Sequence, residues 1–222
     1  MSTLLENIEI DTAPQPTAAV IWMHGLGADG NDFVPLVRGE LDLGALPPTR
    51  FVFPSAAPMP VTLNGGYVMR AWFDVPAGLV GPEDASGMRA SQAHIEALIE
   101  REKARGIPAS RIVLAGFSQG CAMALQTGLR HPEKLAGLLC LSGWLPLAAT
   151  LATEGRAAGK EVPIFMAHGS ADPVVPMARA AQSRDTLKAL GYQVEWKSYP
   201  MQHSLCQEEV DDIGAWLQRV LA

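Results

Sequence analysis

The chain has 222 residues, 48% of them hydrophobic and 18% charged, and carries a net charge of −6. That length can bury an ample core within one domain spanning residues 1–222. The acidic balance, with Lys and Arg scattered, excludes the clustered basic face that nucleic acid demands, and no apolar run is long enough to cross a bilayer.

In chain order, Met1 to Glu6 has neither the positive region nor the apolar core of a secretory signal. Leu5 to Ile10 reads as an edge strand, and Asp11 to Pro16 as a turn-rich link. Ala18 to Met23 is a continuous apolar run, as expected of a central strand. It leads into the Gly-rich loop His24-Gly25-Leu26-Gly27-Ala28-Asp29-Gly30, and a short helix then runs through Val37. Arg50 to Phe53 is a strand stopped by Pro54. From Ser55 to about Gly81 the chain is rich in Pro and Gly yet holds Leu63, Tyr67, Met69, Trp72 and Phe73, which predicts a packed, irregular loop beside a site. Asp84 to about Arg105 is the longest helix; its end carries Arg101, Lys103 and Arg105, a run read as solvated and suited to the helix dipole.

Arg111 to Ala115 is a buried strand, and a helix follows from Cys121 to its close at Arg130-His131-Pro132. Leu135 to Leu141 and Val162 to His168 are further buried strands, separated by a soft link rich in Ala and Gly. Met177 to Leu190 is helical with Gly191 as its stop, Gln193 to Tyr199 is the last strand, and a closing helix runs to about Val220. Alternating strands and helices predict an α/β fold with a mainly parallel sheet and helices on both faces. Cys121, Cys140 and Cys206 are odd in number and lack metal-ligand spacing, so neither a disulfide framework nor a metal site is expected, and a reducing, cytoplasmic setting is.

Between the strand at 111–115 and the helix after it lies Gly116-Phe117-Ser118-Gln119-Gly120. This G-x-S-x-G pattern in a strand–turn–helix context marks a nucleophile elbow, in which side chains two positions either side of a strained Ser would collide. A hydroxyl is a poor nucleophile at neutral pH, so Ser118 needs a base. The chain order Ser, acid, His leaves His203, which follows the last strand, as the base; His168 lies too early to leave room for an acid after a later strand. Asp172, in the loop after the penultimate strand, is the acid that would orient the imidazole, although an Asp before Pro173 also serves as a turn former. Asp185, Asp211 and Asp212 fall on helices, and Glu154 and Glu161 precede their strand. Two backbone N–H groups are candidates for an oxyanion hole, that of Gln119 after the nucleophile and that of Leu26 in the Gly-rich loop. Leu63, Trp72, Trp144 and Val175 are candidate walls for an acyl group, with core packing an equal reading for the two Trp residues.

These motifs resemble the small carboxylesterases that include acyl-protein thioesterases and lysophospholipases, a compact branch of the α/β-hydrolases. The resemblance rests on His24-Gly25-Leu26-Gly27, Trp72-Phe73-Asp74, the elbow, Leu141 to Pro146, His168 to Val175 and His203-Ser204, in the family's order along nearly the whole chain. It implies an α/β-hydrolase without a large cap, a Ser118–Asp172–His203 triad, an oxyanion hole at Leu26 and Gln119, and no cofactor or metal. One departure is Gln202, where the family usually has Gly before the His. The expected activity is hydrolysis of short- to medium-chain carboxylic esters through an acyl-enzyme. Thioesterase or lysophospholipase activity, acyl transfer to another acceptor, and a non-catalytic binding protein stand as alternatives. The expected partner is a small acyl ester or thioester, without stable membrane insertion; a homodimer is common for soluble proteins, but no residue marks one.

Overall fold

The computed structural model describes residues 4–77 and 81–222. One sheet is built from seven strands: β1 (Asn7–Asp11), β2 (Ala18–Met23), β3 (Thr49–Pro54), β6 (Ile112–Phe117), β7 (Gly137–Leu141), β8 (Ile164–Gly169) and β9 (Val194–Tyr199). Their order across it is β1-β3-β2-β6-β7-β8-β9. Every pairing is parallel except β1 with β3, where the edge strand runs antiparallel. Around the sheet lie α1 (Val34–Gly39), α2 (Ala85–Ala104), α3 (Gln119–Gly128), α6 (Met177–Ala189) and α7 (Gln207–Leu221).

The period-2 geometry of a strand explains why β2 is apolar throughout. Ala19, Ile21 and Met23 join the core layer that includes Leu98 and Ile99 of α2 and residues 121–125 of α3. Ala18, Val20 and Trp22 join the opposite layer with Val37 of α1 and Ile213 and Trp216 of α7. Both faces of β2 are therefore dry, and no polar alternation survives in its sequence. The elbow helix α3 is buried at every position, so its small residues let it lie close on β6 and β7.

Three expectations are corrected. The stretch from Ser55 to Gly81 is not irregular throughout; it carries a separate hairpin of β4 (Pro58–Val61) and β5 (Tyr67–Arg70). Gly65 and Gly66 turn it at φ 66° and 81°, values open to Gly at little cost. Its prolines lie in a two-stranded edge ribbon where missing donors are tolerated. Residues 78–80 of that stretch, like 1–3 of the N-terminus, lie outside the described residues. The soft link before β8 holds two short helices, α4 (Ala148–Glu154) and α5 (Ala157–Lys160). The basic run ending α2 is paired rather than merely solvated: Arg101 meets Glu9 at 2.8 Å, Arg105 meets Glu9 at 3.0 Å, and Lys103 contacts Glu133. Among the described residues no helix is long and apolar enough to cross a membrane, and no large cap covers the carboxyl ends of the strands.

Candidate active site

The loops named above leave the carboxyl ends of β2, β6, β7, β8 and β9, the side on which open α/β sheets build their sites. Ser118 sits between β6 and α3 at φ 56°, ψ −115°, a left-handed strained conformation. The flanking glycines are required by contact. A Cβ on Gly116 would lie 2.1 Å from the Gly120 carbonyl, and one on Gly120 would lie 2.1 Å from the Met23 oxygen. The turn is thus as tight as the motif predicts, and it seats the start of α3 directly on the end of β2.

The structure brings His203 and Asp172 together. His203 Nδ1 donates to Asp172 Oδ2 at 2.6 Å, so Nε2 carries the free lone pair. The other carboxylate oxygen, Oδ1, accepts from the Val174 and Val175 backbone N–H groups at 2.8 and 2.9 Å. Asp172 is thereby both turn former and partner of the His. His168 is buried and gives its Nε2–H to the Val175 carbonyl at 2.8 Å; it steadies the acid loop. The His203 turn leans on that loop, since a Cβ on Gly169 would strike the Gln202 and Met201 oxygens at 2.3 and 2.5 Å. Phe117 faces the imidazole with ring centroids 4.7 Å apart, which sets His203 over the residue preceding Ser118. Gln202 is exposed and its φ is not positive, so the departure from Gly imposes no backbone strain.

Across the elbow lies the Gly-rich loop. No protein acceptor among the described residues takes the backbone N–H of Leu26 or of Gln119. His24 stiffens the loop: Nδ1–H donates to the Gly25 carbonyl at 2.6 Å, and Nε2 accepts from Ala56 N–H at 3.0 Å. Burial lowers the His24 pKa below the ordinary imidazole value, against the opposing pull of the Gly25 hydrogen bond, so the ring is held neutral. Trp72 donates its indole N–H to the His24 carbonyl at 2.9 Å. The Gln119 side chain, for which the sequence marks only the backbone donor, accepts from Trp72 N–H at 3.0 Å and donates to the Phe73 carbonyl at 2.9 Å.

Of the four predicted wall residues, only Trp144 lines a small pocket of about 40 Å³, where it meets Phe73 edge-on at 6.1 Å beside Val75 and Met88 and the charged Asp74, Glu83 and Arg179. Trp72 is 2% exposed and lines a separate groove beside α2. Leu63 sits exposed on the hairpin, and Val175 is buried in the acid loop. The reason is that Trp72 needs a partner for its indole N–H and finds it in the main chain. Two polar neighbours of Trp144 were missed because nothing in their local sequence marks them. Glu83 accepts its indole N–H at 3.3 Å, and Arg179 stacks 4.1 Å from its ring. Burial lowers the Arg179 pKa, with Glu83 opposing.

A mainly parallel sheet in this order, a serine at a strained strand-to-helix turn and a His–Asp pair on the following loops define an α/β-hydrolase. A family model described as Phospholipase/Carboxylesterase matches residues 6–221, and the chain belongs to that family. It is 40% identical over 218 residues to acyl-protein thioesterase 1 of Gibberella zeae, covering 94% of this chain and 93% of the relative. Acyl-protein thioesterase 1 of Neurospora crassa is 43% identical over 210 residues, covering 90% and 86%. The crystal structure of Zea mays acyl-protein thioesterase 2 superposes with a TM-score of 0.87 at 33% identity, covering 98% of this chain and all of that one. The protein is therefore an enzyme, a hydrolase of the serine esterase–thioesterase kind.

Proposed function

We propose that the chain hydrolyses acyl thioesters, as on acylated cysteine, through an acyl-enzyme on Ser118. The observation that carries the reading is the 2.6 Å hydrogen bond from His203 to Asp172, at the side of the strained elbow. In this mechanism Ser118 Oγ attacks the acyl carbonyl while His203 Nε2 takes its proton. Asp172 holds the imidazole tautomer and stabilises the imidazolium. The tetrahedral oxyanion accepts hydrogen bonds from the Leu26 and Gln119 N–H groups, which are open for it. Collapse expels the leaving group with the proton from His203; water then repeats the sequence and frees the acid.

Thioesters come first because the relatives are named thioesterases, which reverses the order expected from the sequence. The chemistry agrees: a thiol of pKa about 8.5 leaves more readily than an alcohol, so the machinery suffices for both. Carboxylic esters of short to medium chain remain the second reading, favoured by the family description. Phe73 and Trp144 offer apolar walls for the acyl group. The cysteines, all free, support a reducing compartment.

The test is a panel of thioesters and oxygen esters of graded acyl length, run with the wild type and Ser118→Ala. Turnover that vanishes in Ser118→Ala, with kcat/KM higher for thioesters at matched acyl length, is the expected result. Equal activity in Ser118→Ala would remove the nucleophile, and a uniform preference for oxygen esters would restore the second reading.

A further inference from the structure

We infer that the side-chain amide of Gln119, acting with the Trp72 indole, is a positioning device that sets the spacing of the two oxyanion donors; the inference rests on the hydrolytic reading above. Those donors belong to different segments, Leu26 to the loop after β2 and Gln119 to the first turn of α3. Their separation is only as constant as the attachment between the segments. One attachment is direct, the close approach of Gly120 to the Met23 and His24 carbonyls. A Cβ on Gly25 would likewise lie 3.5 Å from Ser118 Cβ, so the loop rests on the elbow, while hydrogen bonds from another segment fix His24 and Gly27.

Those bonds come from the stretch around β4 and β5. Gly27 N–H donates to the Arg70 carbonyl at 2.9 Å, Ala56 N–H to the His24 ring at 3.0 Å, and the Trp72 indole to the His24 carbonyl at 2.9 Å. Three tethers of the loop thus end on residues 56, 70 and 72. The same stretch returns to the elbow through Gln119, which bonds Trp72 N–H and Phe73 C=O. The circuit closes on the residue whose own N–H is the second donor.

The chemistry of the clamp specifies an amide. Trp72 and Phe73 offer one donor and one acceptor on the same edge, and the Gln119 amide answers both at once without a charge. A carboxylate would answer the N–H and repel the carbonyl; a thioether would answer neither. Gln119 is 2% exposed and Trp72 is equally buried, so water cannot take over the broken bonds without cost. Ser91 Oγ donates to the Trp72 carbonyl from α2 and secures the far edge. Donors that stabilise a developing charge act because they are fixed beforehand. Loosening them should therefore slow the chemical step and leave ground-state binding alone.

The test compares Gln119→Met, Gln119→Glu, Trp72→Phe and Gln119→Met/Trp72→Phe with the wild type. It reads kcat and KM for a p-nitrophenyl acyl ester and Ki for an alkylboronic acid, whose serine adduct is a tetrahedral anion. The clamp predicts kcat down roughly 10- to 100-fold for Gln119→Met, less than the loss of a whole oxyanion donor, with KM within about threefold. Boronate Ki should rise by the factor that kcat/KM falls. Trp72→Phe, which keeps the ring and drops the N–H, should lose roughly tenfold, and the double variant should lose less than the product, as expected for one circuit. Were Gln119→Met to misfold, Gln119→Glu and Trp72→Phe carry the same comparison. Folded variants with unchanged kcat and boronate Ki, or with loss in KM alone, would overturn the clamp. Fluorophosphonate labelling keeps the two levels apart: wild type that labels at Ser118 upholds the hydrolytic reading, and a labelling rate that does not fall in the clamp variants counts against the clamp alone.

Discussion

The elbow and the 24–27 loop meet through groups almost wholly buried, with His24 at 1% and Gln119 at 2% exposure, whereas the turn carrying His203 lies between two exposed residues, Gln202 and Ser204. On the first side the His24 ring and the Gln119 amide are both committed to the main chain. On the second, a single carboxylate oxygen and a ring contact to Phe117 hold the imidazole, whose side chain keeps 16% of its surface open. On the proposed mechanism, the contrast follows from what each side would do. A donor that meets a developing charge gains from being immobile and dry. A base that receives a proton, returns it to a leaving group and then activates water must leave a path for all three.

Asp172→Asn gives the largest effect and probes the open side at its single anchor. The amide introduced by this substitution would offer His203 an N–H where the carboxylate accepted one, which favours the wrong tautomer and removes the charge beside the imidazolium. On the Ser-His-Asp template kcat should fall about 10⁴-fold, with folding preserved because the Oδ1 bonds to Val174 and Val175 N–H can persist. A loss under about tenfold in steady-state assays would mean that something other than Asp172 orients the base.

Gly120→Ala probes the buried side in the currency it uses, backbone contact. The added Cβ would sit 2.1 Å from the Met23 oxygen and 2.6 Å from its carbonyl carbon, neither of which can move without shifting β2 or α3. Destabilisation of about 3 kcal/mol or more is expected, seen as a melting temperature lower by about 6 °C or more for a chain of this size. An unchanged melt would show that the elbow is looser than its contacts imply.

Glu209 lies in the first turn of α7, below the His203 turn, and is buried with neither carboxylate oxygen in a well-formed hydrogen bond. Burial first, then the charge of Asp212, pushes its pKa up to about 8 from 4.5, while the nearby Cys206 backbone N–H pulls the other way. Asp212 is itself held by Lys197 Nζ and Tyr199 OH, both at 2.7 Å. A raised carboxyl pKa means that the folded state holds a proton the unfolded state has released. Stability from this group is therefore full below about pH 4.5 and is lost as pH rises toward 8. Glu209→Gln should flatten that decline and exceed the wild type at pH 9 by a few kcal/mol, with about 5 as the ceiling. Denaturant titrations across pH check it. Amide protection, taken relative to the intrinsic base-catalysed exchange rate, should fall above pH 8 at 201–210 and not at 112–128; an equal fall in both would erase the distinction between the two sides.

The sheet was legible because its central strands are dry on both faces and so read as unbroken apolar runs between Gly-rich turns. The elbow, His203 and Asp172 were legible because strand ends and chain order restrict where their partners can stand. What escaped is long-range and polar. Gln119 bonds a segment 46 residues away, Glu83 reaches Trp144 across 61, and neither leaves a periodic or spaced mark. The hairpin at 58–70 escaped because its prolines argue against a strand wherever a full ladder is needed, and an edge ribbon does not need one. Trp72 keeps both of its readings in the sequence for a related reason: an aromatic in a long loop reads alike whether its ring meets a ligand or its N–H meets a carbonyl.

Gln202→Gly is the mirror of Gly120→Ala, a Cβ removed from the open side where the other adds one to the buried side. Only the backbone at 202 packs against Gly169; the side chain is exposed and makes no hydrogen bond with the described residues. Removing it should leave kcat/KM within about twofold, because the His203–Asp172 bond does not pass through it, a surface effect of under roughly 0.5 kcal/mol. Stability should fall by about 0.5–1 kcal/mol, since Gly widens the unfolded ensemble without relieving any positive φ. A rise in kcat/KM above tenfold for bulky acyl substrates alone would show that Gln202 narrows their approach. A fall of that size would show that the open turn depends on its side chains as closely as the elbow depends on its glycines.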